Sequence, residues 1–418
     1  MVYRIYILKG VILLKVVTVV DARMGRGKTS AAIRYIKENR DSRRFLFVTP
    51  YLTEVQRICT QCNFDEPSED VGTKTADLRR KMRAKRNIAM THSLFYLMDM
   101  DMLELARENG YSLIIDESIN IIEKIPTSAK DFTLITNTMT IEDETGRLTW
   151  VDDEYEGRFD DYKALADQGN LFHLDSALLN ITNPYLFLAL DEVIMLTYLF
   201  DGQTQKAYMD YFGIPYRIVG VEQDDIGYKF SDAPDCPPPI DIRGLVNIVN
   251  RETMLEKFWD RYSLSKNWFS KKTADSPEIK QLRRHLKYFF THNGGTESTD
   301  RIWTCYKDDA KKILGKDGRY ASSFLPLNIR ATNEYRQATA VAYLVNRFCD
   351  PNLMKFFAAR GITLDHDQFA LSEMVQFVWR SAIRDNRPID LYIPNKRMRD
   401  LFIDWMNSIS QEGENVNE

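Results

Sequence analysis

One stretch constrains the fold more than any other: KVVTVVDARMGRGKTSAAIRYIKENR, residues 15–40. Its β-branched run favours extended backbone and predicts a strand. Gly25 and Gly27 permit a tight, left-handed turn that other side chains resist. TSAAIRYIKENR then spaces its apolar residues as a helix does. A strand that feeds such a turn, with a helix N-terminus behind it, presents converging backbone N–H groups to an anion. Lys28 adds a cation, and Thr29 a hydroxyl suited to Mg2+. The expected ligand is a nucleoside triphosphate, held through Ala22, Gly25, Arg26, Gly27, Lys28, Thr29 and Ser30.

The rhythm repeats along the first 120 residues. RFLFVTP, NIAMTH and YSLIIDES are short apolar runs ending in polar residues, with amphipathic stretches between them. That alternation predicts a parallel sheet covered on both faces, with ligands at the carboxyl ends of its strands. FTLITNTMTIEDETGRLTWVDDEYEG alternates like a hairpin, with Gly146 in the turn, and reads as part of an acidic insertion. VIMLTYLF returns to strand character. Pro237, Pro238 and Pro239 mark a linker, and a second α/β region follows. The predicted organisation is domain 1 over 1–220 with an insertion at about 128–190, a linker at 221–240, domain 2 over 241–410 and a frayed tail at 411–418.

Composition serves mainly to exclude. The 418 residues exceed one small core, and a net charge of −4 leaves room for a local basic groove. No apolar run approaches the roughly eighteen residues of a membrane span. Lys9 and Lys15 interrupt the N-terminal apolar stretch, which reads as strand rather than signal peptide. The five cysteines are sparse and suit a reducing compartment such as the cytoplasm. Cys59 and Cys62 form a lone C-x-x-C pair, insufficient for a zinc site.

A phosphate loop needs an acid to hold the metal and one to activate water. YSLIIDES supplies Asp116 for the first and Glu117 for the second. With Ala22–Thr29 these residues resemble the superfamily 2 helicases and translocases. That family's loop typically reads A-x-x-G-x-G-K-T and its acidic motif begins Asp-Glu. FLFVTPYLTEVQ, with Thr49, Pro50 and Gln56, and MTHSLF, with Thr91 and His92, are similar to its nucleic-acid contact segments. Thr197 of LTYLF stands where the family has a coupling motif, though Tyr198 and Leu199 depart from it. Arg330, Thr332 and Asn333 occupy the place of a further motif contacting nucleotide and strand. In the last motif Arg380 follows Gln376 by four residues. Arg384 is one position off the family's second arginine, and Trp379 replaces its glycine.

The resemblance implies an α/β fold of two RecA-like P-loop NTPase domains with parallel sheets plus insertions. It further implies an ATP- and Mg2+-dependent helicase or translocase. Lys28, Glu117, Gln376, Arg380 and Arg384 would be its catalytic residues, and Thr29 and Asp116 its metal ligands. Thr49, Pro50, Thr91, His92, Arg330, Thr332 and Asn333 would touch nucleic acid, DNA favoured over RNA. The setting would be phage replication or recombination in a host cytoplasm, with replication proteins as partners and no membrane. Gln376, Arg380 and Arg384 are spaced to share one helix face. Two rivals stand. A terminase-like packaging ATPase would need a nuclease cluster, for which Asp350, Asp365 and Asp367 are available. A nucleotide-switched DNA-binding or loader protein would bind ATP without turnover. Three basic stretches are candidate nucleic-acid surfaces, RRKMRAKR (79–86), KNWFSKK (266–272) and RRHLKYFF (283–290).

Overall fold

The computed structural model describes residues 16–70, 72–119, 121–142, 145–152, 154–175, 177–233, 242–249, 258, 260–295, 297–327 and 335–414, with side chains up to 409. The chain forms two compact units. The first takes in the chain to Arg23, Gly27–Pro234 and Asp350–Leu364; the second takes in Met24–Arg26, Asp235–Cys349 and Asp365–Glu418. The proline cluster and the N-terminal apolar stretch ahead of residue 16 lie outside the described residues.

Among the described residues, sixteen strands are numbered along the chain. In the first unit β1 is Val17–Asp21, β2 Arg44–Thr49, β3 Ile88–Thr91, β4 Tyr111–Asp116, β5 Ile122–Ile125, β6 Met139–Ile141, β7 Leu148–Trp150, β8 Leu171–Leu174, β9 Ala177–Ile181, β10 Glu192–Thr197, β11 Tyr216–Asp224 and β12 Gly227–Ser231. Seven of them form one sheet in the order β12-β11-β1-β10-β4-β2-β3. Every pairing in it is parallel except β11 with β12. Residues of β4 are buried throughout, as expected where both faces of a sheet are covered. Helix α1, Lys28–Asn39, turns Ala31, Ala32, Ile33 and Ile36 inward. These pack with Val20, Phe45, Phe47, Ile114 and Ile194 in one apolar core. Burying each large side chain stabilises the fold by about 1.5–3 kcal/mol.

Between β4 and β10 the chain leaves this sheet. Strands β5, β9 and β8 make a three-stranded antiparallel sheet, and β6 and β7 a hairpin beside it. The expected hairpin begins later than its alternation suggests, because residues 129–137 are helical. Ser128 caps that helix by accepting the Asp131 N–H at 3.1 Å, and a satisfied N-cap outweighs local β-propensity. A helix from much later in the chain, Pro351–Ala358, belongs to this unit. Its Phe356 ring lies 6.3 Å from Phe172 and 5.0 Å from Tyr211. The Arg360 guanidinium sits over Tyr211 at 4.9 Å.

The second unit has four parallel strands: β13 Val246–Ile248, β14 Arg301–Thr304, β15 Ala340–Tyr343 and β16 Ile389–Tyr392, in the order β13-β16-β15-β14. Trp303 is fully buried, and its indole N–H donates to the Tyr320 carbonyl at 2.8 Å. The last helix, Lys396–Glu414, runs into the stretch read as a frayed tail. Met398, Phe402, Trp405 and Met406 anchor it by burial. The protein is thus an α/β fold of mostly parallel sheets with insertions. No helix among the described residues is long and apolar enough to cross a membrane.

Candidate functional site

Strand register brings five polar strand ends to one edge. Asp21 pairs with Thr197, Leu196 with Asp116, and Thr49 with Thr91. This is the carboxyl edge of the first sheet, where a parallel α/β fold binds its ligands. The loop after β1 opens onto it. Gly25 and Gly27 have φ of 79° and 80°, in the left-handed region. Gly27 is the residue from which α1 starts. The Lys28 ammonium folds back and donates to the carbonyls of Ala22 and Arg23, the latter at 3.1 Å. It is thereby held over its own loop.

Asp116 lies at the centre of the edge and is 7% exposed. Thr29 Oγ1, from the first turn of α1, is 3.5 Å from its Oδ1; Thr49 Oγ1 is 3.5 Å from its Oδ2. The buried His92 ring donates from Nε2 to the Asp116 carbonyl at 3.0 Å. Burial pushes the Asp116 carboxyl up to about 7, helped by the charges of Glu117 and Glu54, while Lys28 and Arg57 pull the other way. A hydroxyl and a carboxylate are hard oxygen donors and fit Mg2+, whose remaining positions would go to phosphate and water. Glu117 is exposed and has φ of 64°, and its N–H donates to the Leu196 carbonyl at 3.0 Å. A left-handed non-glycine residue costs roughly 1–2 kcal/mol. That strain turns Glu117 away from the strand direction of β4.

Several residues that sequence reasoning missed hold this edge. Asp21 accepts the N–H groups of Leu199 at 2.9 Å and Phe200 at 3.1 Å, tying the ends of β1 and β10 together. Burial raises its carboxyl pKa, against those two N–H donors and the charge of Lys28. The Gln203 amide donates to Thr197 Oγ1 at 2.7 Å and to the Tyr198 carbonyl at 2.8 Å. Tyr228 packs on Gly27 so closely that a Cβ there would meet its ring at 2.3 Å. Asp21 was legible as the polar end of a strand. Tyr228 was not, because residues 221–240 read as linker whereas 216–231 form the β11–β12 hairpin.

Among the expected nucleic-acid contacts, Thr49 and His92 are buried and support Asp116, while Pro50 and Thr91 are partly exposed. Thr91 also caps the short helix that follows by accepting the Leu94 N–H. Arg330, Thr332 and Asn333 lie outside the described residues. In the second unit Gln376 is on the helix His366–Val378, but that helix ends before Arg380. The Arg380 and Ser381 N–H groups bond three residues back, and Ser381 Oγ donates to the Val378 carbonyl. Arg384 falls in a separate 3-10 turn, Ala382–Asp385. One continuous helix carrying all three residues is therefore excluded. Arg380 is partly buried, with its guanidinium 5.9 Å from the Phe377 ring and Nη1 lacking a hydrogen-bond partner among the described residues.

Several side chains of the basic stretches have partners within the fold. Arg79 pairs with Asp99 and Asp101, Arg80 and Lys81 with Asp77, and Arg86 with Asp65. Phe269, Phe289 and Phe290 are core residues. Asp350 and Asp365 cap helices, and Asp367 pairs with Arg397 at 2.6 Å.

Fold and edge together define an α/β protein of Rossmann-like domains with a glycine turn beside a buried acid. The family described as the YonV C-terminal Rossmann-like domain matches residues 240–406, and that described as the YonV middle domain matches 122–180. The latter range coincides with the excursion from β5 to β9. The SPbeta prophage-derived uncharacterized protein YonV of Bacillus subtilis (strain 168) is 35% identical over 412 residues, covering 94% of this chain and 99% of that one. The chain belongs to the YonV family. Among solved structures, that of S. tokodaii Xpd4 is similar at a TM-score of 0.49 and 12% identity, over 93% of this chain and 94% of the other.

Proposed function

We propose that the chain hydrolyses ATP and is a helicase or translocase of the superfamily 2 kind, acting on DNA in preference to RNA. The observation that carries this reading is the convergence of Lys28, Thr29 and Asp116 at the mouth of a glycine turn, with Thr29 Oγ1 3.5 Å from Asp116. Lys28 would bind the outer phosphates, and Thr29 and Asp116 would hold Mg2+. When bound, Mg2+ neutralises phosphate charge and orients the triphosphate. Glu117, exposed beside Asp116, would accept the proton of the attacking water. Arg380, with Arg384, is assigned to transition-state charge on the family resemblance alone. The prophage origin in the relative's printed name supports a setting of phage DNA replication or recombination in the host cytoplasm.

ATPase rates measured in parallel with single-stranded DNA, duplex DNA and RNA test the proposal, with stimulation by DNA expected. Lys28→Ala should lower turnover by at least about 100-fold, as loss of a charged phosphate contact does. Glu117→Gln should lower it by about 10²–10⁴-fold, as loss of a general base does. An unaltered rate in either variant would remove the assignment.

A further inference from the structure

The sequence ahead of the phosphate loop contains no recognisable adenine-selecting motif, which leaves the seat of the nucleoside end open. The β11–β12 hairpin offers one. Pairing of β1 with β11 ends at Val20 and Val219, yet β11 continues to Asp224. Gly220 is level with Asp21, so its pairing with β12 from Val221–Phe230 to Asp224–Gly227 extends past the carboxyl end of β1. The hairpin overhangs the edge on which the loop opens. Tyr228 is partly exposed there, with its ring against Gly27.

The overhang is clamped rather than loose. Arg34 of α1 pairs with Asp224 at 2.7 Å, and the same carboxylate oxygen accepts the N–H groups of Ile226 at 3.0 Å and Gly227 at 3.1 Å. Two residues after Tyr228, Phe230 packs on Tyr35 of α1 with ring centroids 5.7 Å apart. A rigid aromatic ring at the start of the phosphate-loop helix suits stacking against a flat heterocycle. Stacking tolerates any base, which fits a site without a selecting motif.

We infer that Tyr228 is the platform on which the base of the bound nucleoside triphosphate stacks. This rests on the phosphate-site reading above and deepens it. Equilibrium binding of ATP and of inorganic tripolyphosphate to the full chain separates the two, because only ATP has a base. Tyr228→Ala and Tyr228→Leu should weaken ATP binding about tenfold, in the range of aromatic–base stacking, and leave tripolyphosphate binding within twofold. Tyr228→Phe should retain parental affinity for both. Tyr228→Leu keeps bulk against Gly27, and a thermal melt of each variant verifies folding. Unaltered ATP affinity in folded Tyr228→Leu would overturn the platform alone, as would an equal loss for both ligands. Failure of the parent chain to bind either ligand would overturn the phosphate reading and the platform with it.

Discussion

The two parallel sheets of this protein treat their carboxyl edges differently. The first ends in acids, hydroxyls and a glycine turn, with Asp116 at its centre and an amine folded over the loop. At the second, β15 is followed by Asn346, and Asn395 stands shortly after β16; both are fully buried. The Asn346 amide donates to the carbonyls of Arg261 at 2.7 Å and Ser263 at 3.1 Å, and its oxygen accepts from Arg397 at 2.9 Å. Asn395 donates to the same Ser263 carbonyl at 3.0 Å. Nearby, Arg347 pairs with Glu373 at 3.2 Å. That edge is stitched to a neighbouring loop by amides. A parallel sheet supplies a carboxyl edge, and the residues that follow its strands decide whether that edge stays open or is closed by its own loops.

The contrast can be broken most forcefully at the stitched edge. Asn346→Leu takes the amide donor from the Arg261 carbonyl, leaves the Ser263 carbonyl to Asn395 alone and removes an acceptor from Arg397. At about 1 kcal/mol for each neutral hydrogen bond lost and about 1.5–3 kcal/mol for the one from Arg397, it should destabilise the protein by about 2–4 kcal/mol in chemical denaturation. A loss below about 1 kcal/mol would show that the edge is not held this way.

At the open edge Gly27→Ala should have a smaller effect on stability and a specific one on the ligand. The left-handed backbone costs about 1–2 kcal/mol for a residue with a side chain. The new methyl would also collide with Tyr228. Denaturation should report the first, and weakened ATP binding the second. Gly213, with a φ of 63° and no atom within 4 Å of a Cβ position, is a control in which only the backbone cost should appear.

The smallest effect distinguishes charged ties from neutral ones. The hydrogen bond from Arg34 holds the Asp224 carboxyl at about 2 against an ordinary 3.8, aided by the Ile226 and Gly227 N–H groups and opposed by desolvation. A depressed acid stabilises the folded state fully above pH about 4, and loses that contribution as pH falls through about 2. A carboxyl-carbon NMR titration should find this midpoint and see it move up toward 3.8 in Arg34→Ala. A midpoint unchanged by that substitution would mean the ion pair does not clamp the hairpin. The amide stitches at Asn346 and Asn395 have no corresponding titration.

Much of the open edge was legible because its signals are local. The strand–turn–helix from Val17 to Asn39 and the acidic end of β4 need only β-branched runs, glycines and helix formers in order. The second sheet was less legible. β15, Ala340–Tyr343, is a short run that gives no periodicity, and its identity as a strand depends on the neighbours at Arg301–Thr304 and Ile389–Tyr392. The aromatics of KNWFSKK and RRHLKYFF could face bases or a core equally well by composition. Packing placed Phe269, Phe289 and Phe290 inside.

Residue order by itself determined that a glycine turn and a helix start follow β1 and that an acid pair ends β4, since turn permissiveness and strand propensity act within a few residues. Only tertiary structure decided that Thr29 and Thr49 meet on Asp116, and that Asp21 binds the turn after β10. It likewise decided that a tyrosine about two hundred residues downstream lies on Gly27. Those contacts are set by strand order and register, and sheet pairing joins segments whose separation along the chain leaves no local trace.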